Sequence, residues 1–313
     1  MKPYRQFIIF YLLTFLLLGL IPLLSWVFNN GSMDFSAAAT KASEASGIQW
    51  TSSLVSVLRL SAIEPVLLLT LLGSLVPAIA AVLVLSFQTN GAAWVRFLRR
   101  LRPYQGCTFI YAVMNYVTVS LILVACLGLV FLFRTSLGAS YETNFSLSFS
   151  FALSILVMSI LDQGALLEEL GWRGYAQSEL QLSGLNPLAA AFAVGIAWGM
   201  WHFPRDLTTG VIDRLGVLSY LIQYLPSFLM GTIAVSIIAI FFCNRLGGSV
   251  IPAIVIHGLC NDALGISGSA SIVEALTPFH QITKNLPFAV VACILVLYSG
   301  SHLGLQREPE TRR

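Results

Sequence analysis

The chain has 313 residues, 57% of them hydrophobic and 10% charged, with a mean hydropathy of +0.83. A soluble domain carries about one-quarter charged residues, so the composition excludes one and predicts an all-α, polytopic bundle of membrane helices. The net charge of +3, from 17 basic and 14 acidic residues, is too small a surplus for a nucleic-acid binder. The five cysteines lie in or beside apolar stretches without CxxC spacing, which excludes a disulfide scaffold or zinc-finger arrangement.

Lys2 and Arg5 precede an apolar run from Phe7 to Phe28, about the 20 residues needed to cross a bilayer. The run is too long for the core of a signal peptide, and Ala37 to Ala39 lie too far beyond it for a cleavage site, so it reads as an uncleaved first span. A polar external loop from Asn29 to about Glu64 follows, with a short helix near Leu54 to Ile63, and Pro65 to Phe87 is the second span. Arg96, Arg99, Arg100 and Arg102 form the densest basic cluster, which the positive-inside rule places in the cytoplasm. Thr108 to Phe133 is the third span. The fourth begins at Phe145 and is expected to run unbroken through Glu168 and Glu169 into the amphipathic stretch Gly174 to Leu182. Ser183 to Pro187 breaks it. Leu188 to Phe203 is the fifth span, Val217 to Cys243 the sixth, Val250 to Leu264 a short seventh and Leu286 to Leu305 the eighth.

About eight crossings put both termini on one side. Eleven of the 17 basic residues fall on the amino-terminal side and six on the other, which predicts cytoplasmic termini; the membrane expected is a bacterial plasma membrane. The expected organisation is residues 1–144 as N-terminal helices and loops, 145–270 as the core that carries the chemistry, and 271–313 as the last helix and tail. No internal repeat is visible, which weighs against a transporter built from inverted repeats.

Three polar clusters interrupt this apolar chain. In Leu167-Glu168-Glu169-Leu170-Gly171-Trp172-Arg173, residues four apart share a helical face, so Glu169 meets Arg173 and Glu168 is left without a helical partner of opposite charge. Ionisable groups at membrane depth are functional candidates by default. The second cluster is Trp198 and His202, on a helix whose Gly195 and Gly199 form a small-xxx-small packing pattern. The third is His257 and Asn261, again four apart. Glu168 and His202 each lie 16 residues from the turn between their helices, about 24 Å at 1.5 Å per residue, which brings them to similar depth. His257 lies about 15 Å from the break at Gly247 and Gly248, with Asn261 about 6 Å deeper.

A carboxylate and an imidazole converging on one water can deprotonate and orient it. A second imidazole and a carboxamide offer donors to an oxyanion. The set fits hydrolysis of an amide bond by water, and neither Cys260 nor any serine has a base and orienting partner in sequence. No cofactor is required by this chemistry; the competing account is zinc held by Glu168, His202 and His257, although His-Glu-x-x-His is absent. Asp162, about 33 Å from the turn, is expected at the external interface. Asp206 is a candidate to orient His202 if the helix survives Pro204, Asp262 a cap or interface group, and His280 and His302 loop and interfacial residues.

Glu168-Glu169-x-x-x-Arg173, then Trp198-x-x-x-His202, then His257-x-x-x-Asn261, in this order on successive helices, resembles the CPBP family, the Abi-like group of type II CAAX prenyl proteases and bacteriocin-processing proteins. The resemblance spans roughly Phe145 to Leu264. It implies an intramembrane endopeptidase in which Glu168 and His202 activate water, His257 and Asn261 stabilise the oxyanion, and Glu169 with Arg173 holds the site's shape. The family's second motif usually begins with Phe; Trp198 stands here instead, a change expected to alter pocket shape more than chemistry. The substrate implied is a membrane protein or peptide, lipidated in eukaryotic relatives, and the site is expected to open toward the cytoplasmic half of the bilayer. The alternatives are a non-proteolytic bacteriocin-immunity or scaffold protein, in which the clusters tie helices together, and a transporter with a proton relay.

Overall fold

Apolar runs in lipid must satisfy their backbone hydrogen bonds internally, and the helix is the local way to do so. The computed structural model describes residues 3–29, 35–48, 50–88, 91–136, 149–208, 211–266 and 278–305, and among them every named element is helical. The chain is an integral membrane protein built as a polytopic helical bundle. Five helical stretches among the described residues are long and apolar enough to cross a membrane: Tyr4–Val27, Pro65–Ser86, Phe109–Phe133, Val217–Arg245 and His280–His302. Their outward faces carry Leu12, Leu16, Ile110, Met114, Leu121 and Leu297, all exposed, as a lipid-facing belt requires. The remaining expected spans are shorter helices, so length alone does not reach eight crossings.

In chain order, α1 (Pro3–Leu18) and α2 (Leu20–Asn29) form the first span; α3 (Phe35–Ser46) and α4 (Leu54–Ser61) occupy the polar loop. Then come α5 (Leu68–Ser86), the amphipathic α6 (Gly91–Arg99) and α7 (Phe109–Ser136). The fourth span is not the continuous helix expected. It is split into α8 (Phe149–Ile160) and α9 (Gln163–Gly171), and α9 leads through a single π-helical turn at Trp172–Ala176 into α10 (Gln177–Leu182). Asp162 causes the split: its extended backbone ends α8, and its carboxylate accepts from the Ala165 N–H at 2.6 Å to cap α9. The backbone groups freed by the break are met by the segment before α4. Leu54 N–H donates to the Leu161 carbonyl at 2.7 Å and Gln163 N–H to the Ser52 carbonyl at 2.9 Å. Irregular backbone at membrane depth is tolerable only where protein covers it in this way.

Asn186 caps α11 (Pro187–Trp201) with a 2.9 Å bond to the Ala189 N–H, and Pro187 occupies the first turn, where a missing N–H costs nothing. Short helices α12 (Phe203–Thr208), α13 (Val211–Leu215) and α14 (Val217–Ser219) lead to α15 (Leu225–Arg245), which ends at Gly247 and Gly248, both at positive φ. The last two helices are α16 (Ile251–Ile266) and α17 (Pro278–Ser299).

Helix α15 is central, packed by α11, α16 and α17. The approach of α11 uses the predicted small residues: a Cβ on Gly195 would sit 2.7 Å from Ile233 Cα, and one on Gly199 would sit 2.7 Å from Thr232 Oγ1. Gly258 is tighter, since a Cβ there would run into the Ser159 carbonyl at the end of α8. Gly258→Ala is therefore expected to lower stability by about 1–3 kcal/mol through overpacking. Gly128→Ala on α7, where a Cβ meets nothing within 4 Å, should leave it unchanged or slightly raised; thermal unfolding in detergent reads both.

Candidate functional site

Helices α9, α11 and α16 carry the three polar clusters, and all of the candidate side chains are turned into the bundle. Glu169 and Arg173 are 0% and 2% exposed. The spacing of four delivers the pair as expected, across the start of the π turn: Arg173 Nη1 donates to Glu169 Oε1 at 2.6 Å. The same oxygen accepts from His257 Nδ1 at 2.9 Å. Glu169 thus ties α9 to α16 as well as to its own next turn.

Glu168, one residue earlier and about 100° around the helix, points to α11. Its Oε2 accepts from Trp198 Nε1 at 2.9 Å. Its Oε1 lies 3.3 Å from the point where a Cβ on Gly164 would stand, and Asn261 Nδ2 lies 3.5 Å from that same point. Glycine at 164 therefore leaves the space in which the Glu168 carboxylate and the Asn261 amide face one another. His202 closes α11, and its Nδ1 lies 2.8 Å from the Trp198 carbonyl. A carbonyl only accepts, so Nδ1 carries the proton and Nε2 keeps its lone pair in the neutral ring.

Trp198 stands among all of these groups. The Arg173 guanidinium lies over its ring at 4.5 Å from the centroid, and the His257 ring meets it edge-on at 4.7 Å. Beyond the pocket shape it was expected to alter, Trp198 gives Glu168 an N–H that a Phe at this position does not have.

Two cavities meet at His202. One, of about 290 Å³, is lined by Glu168 and His202 together with apolar residues from α1, α2 and α5, including Leu18, Ile21 and Leu69. The other, of about 230 Å³, is lined by His202, His257 and Asn261 with the more polar Lys284 and Asn285, and Arg205 lines both cavities. Between them the two cavities expose all four residues expected to do chemistry. Among the described residues, no three side chains of His, Cys, Asp and Glu form a group that could hold a metal ion. The Nδ1 atoms of His257 and His202 bond Glu169 and the Trp198 carbonyl, which leaves Nε2 open on each ring.

Residues 148–262 match the family described as Type II CAAX prenyl endopeptidase Rce1-like. The chain is also 28% identical over 240 residues to CAAX prenyl protease 2 of Methanococcus maripaludis, covering 74% of this chain and 82% of that protein. The chain carries an Rce1-like segment. Both comparisons bear out the CPBP resemblance read from the three motifs.

The Rce1-like segment holds one contributor that the sequence reading misplaced. Asp162 is not an interface residue: it is fully buried, caps α9, and accepts from Asn261 Nδ2 at 3.1 Å. The signal was present as an Asp followed by an apolar helical run, the ordinary form of an N-cap. Asp206 does not orient His202; it accepts from Arg205 Nη2 at 2.7 Å and from the Tyr220 hydroxyl at 3.1 Å. His280 is buried in α17 rather than in a loop, and the Asp262 side chain lies outside the described residues. Asp162→Ala should cost about 1 kcal/mol for the lost cap and about 1–2 kcal/mol more for the stranded Asn261 amide. A drop in the detergent melting temperature of Asp162→Ala, recovered in part by Asp162→Asn, is the expected result.

Proposed function

We propose that the protein is an intramembrane endopeptidase that hydrolyses a peptide bond with a water activated by Glu168 and His202, and with His257 and Asn261 as the oxyanion donors. The observation that carries this reading is the pair of cavities meeting at His202, which bring these four side chains to one place. The match to CAAX-type proteases supports it.

The hydrogen bonds support this division of roles. Glu168 is held by one oxygen through Trp198, leaving Oε1 for a water proton, and His202 offers Nε2 as a second base. Glu169 fixes the His257 ring through Nδ1, so Nε2 is the nitrogen directed to substrate. His257 can donate from Nε2 only as the imidazolium, and in that state Arg173 and His257 face three buried carboxylates, Glu168, Glu169 and Asp162. Asn261, steadied by Asp162, supplies an amide N–H. No step here uses a metal or other cofactor. The apolar cavity beside Glu168 suits a membrane-embedded peptide, including one with a lipidated residue next to the scissile bond.

The Arg173–Glu169–His257 network is also what a helix-tying scaffold would contain, so the test separates the two adjacent glutamates. Glu168→Gln keeps an acceptor for Trp198 and should leave the melting temperature unchanged while cleavage falls about 10²–10⁴-fold. Glu169→Gln should lower stability by about 3–5 kcal/mol, because it breaks a buried charge network. Purified Glu168→Gln protein that still cleaves a membrane peptide at the native rate, followed by mass spectrometry, would defeat the hydrolytic reading. Trp198→Phe removes one donor to a carboxylate, worth about 1.5–3 kcal/mol. It should reduce kcat by about tenfold or more with a smaller change in KM.

A further inference from the structure

Helix α6 and the segment after it hold four arginines in seven residues, Arg96, Arg99, Arg100 and Arg102. Among the described residues, only the Arg100 side chain hydrogen-bonds the bundle: its Nη1 donates to the Gly248 carbonyl at 3.3 Å, while its own carbonyl accepts from Val250 N–H at 2.9 Å. Ser249 Oγ donates to the Arg102 carbonyl at 2.6 Å and Gln105 N–H to the Leu246 carbonyl at 3.2 Å, so the segment is fastened to the turn between α15 and α16 through its backbone. The side chains of Arg96, Arg99 and Arg102 are exposed, and none of them makes a salt bridge among the described residues. Glu179 on α10 lies within electrostatic reach of Arg96 and Arg100, but one acid does not balance four bases.

At about 100° per residue, α6 divides into three sectors. Ala93 and Phe97 face the bundle and are buried. Trp94, Val95 and Leu98 fall on one flank, where Val95 and Leu98 are exposed, and Arg96 and Arg99 fall on the opposite flank. A helix of nine residues is too short to persist alone in water, and two buried side chains are little to hold it. An apolar flank beside a basic one is the pattern of a helix lying in the membrane interface, with acyl chains on one side and headgroups on the other. The neighbouring surface agrees, since Phe109, Ile110 and Met114 at the start of α7 are exposed in the lipid-facing belt.

We propose that α6 is a binding site for an anionic phospholipid, with the headgroup phosphate held by Arg96, Arg99 and Arg102 and the acyl chains lying along Trp94, Val95 and Leu98. Arginine suits this ligand because its planar guanidinium donates two parallel hydrogen bonds to a phosphate. The lipid site is joined to the cluster between α9, α11 and α16 by two routes. Phe97 packs on the π-helical turn, where a Cβ on Gly174, the residue after Arg173, would stand 3.4 Å from its ring. The segment 100–105 holds the turn from which α16 starts, and His257 lies about 9 Å along that helix from Ile251. A lipid that fixes α6 therefore also fixes the seats of Arg173 and His257. None of this rests on the hydrolytic reading.

The test compares the purified protein in nanodiscs of phosphatidylcholine alone and of phosphatidylcholine with phosphatidylglycerol. Phosphatidylglycerol should raise the melting temperature and slow amide hydrogen exchange at residues 172–176 and 250–254, and native mass spectrometry should find it retained on the protein. Replacing Arg96, Arg99 and Arg102 together by Gln should weaken that retention about fivefold for each arginine, roughly 100-fold in all. The same variant should melt with the native chain in phosphatidylcholine alone, as exposed positions allow. Arg59→Gln with Arg214→Gln, which removes two exposed arginines on α4 and α13, should retain phosphatidylglycerol like the native chain. Val95→Ser with Leu98→Ser should weaken retention as well, and added glycerol 3-phosphate should not displace the lipid, which separates a lipid site from a site for a soluble phosphate. Equal melting and exchange of the native chain in the two nanodiscs would overturn the proposal. So would undiminished retention by the Arg96, Arg99 and Arg102 variant, an equal loss in the Arg59 and Arg214 variant, or displacement by glycerol 3-phosphate.

Discussion

A carboxylate with no exposure to solvent, enclosed by membrane helices, has to be met by positive charge or it costs several kcal/mol. Glu169 is that carboxylate, and one of its oxygens accepts from both Arg173 and His257. The constraint reaches far beyond an ion pair. It fixes the rotation of α9, because Arg173 must lie one turn on. It fixes the approach of α16, because His257 must lie opposite. It also sets the orientation of the His257 ring, and so which nitrogen remains for chemistry. With Glu169 committed inward, helical geometry turns Glu168 to another face, toward α11 and Trp198. Two identical side chains in adjacent positions thereby acquire different environments without any difference in their own chemistry.

The parts of this arrangement governed by local periodicity were legible in the sequence. The Glu169–Arg173 pair follows from a spacing of four, and the small faces of Gly195 and Gly199 follow from the same rule one helix later. The level of Glu168 against His202 needed only the rise per residue and a recognisable turn at Gly184 to Asn186. What was not legible depended on partners distant in the chain. The break at Asp162 is stable only because Ser52 to Leu54 supplies backbone partners from more than 100 residues away, and hydropathy alone reads the same stretch as one helix. Asp206 was misread for a similar reason, since Tyr220 reaches it from the far side of a short helical loop. The role of Trp198 was half visible. Its place on the His202 face could be counted, but the donation of its N–H to Glu168 could not.

The break in the fourth span links this architecture to the site. A continuous helix would carry Asp162 on toward the membrane surface and leave Asn261 without its partner. Ending α8 at Ile160 and restarting at Gln163 instead turns the Asp162 carboxylate inward, where it holds both the new helix terminus and the Asn261 amide. The interruption of the membrane helix is what holds the Asn261 amide in place beside Glu168. Gly164 belongs to the same device: any side chain there would occupy the space shared by Glu168 and Asn261.

The same helices that gather these groups also decide from where they are reached. Glu168, His202 and Asn261 all lie toward the ends of their segments that are remote from the arginine cluster, and the helices that begin at that remote end supply the cavity walls. At the end that carries the cluster the equivalent space is filled by the contacts of Arg100, Gln105 and Ser249 with the turn after α15, which leaves no lining residue there. A site closed at one end and walled by apolar and polar surfaces at the other has a direction.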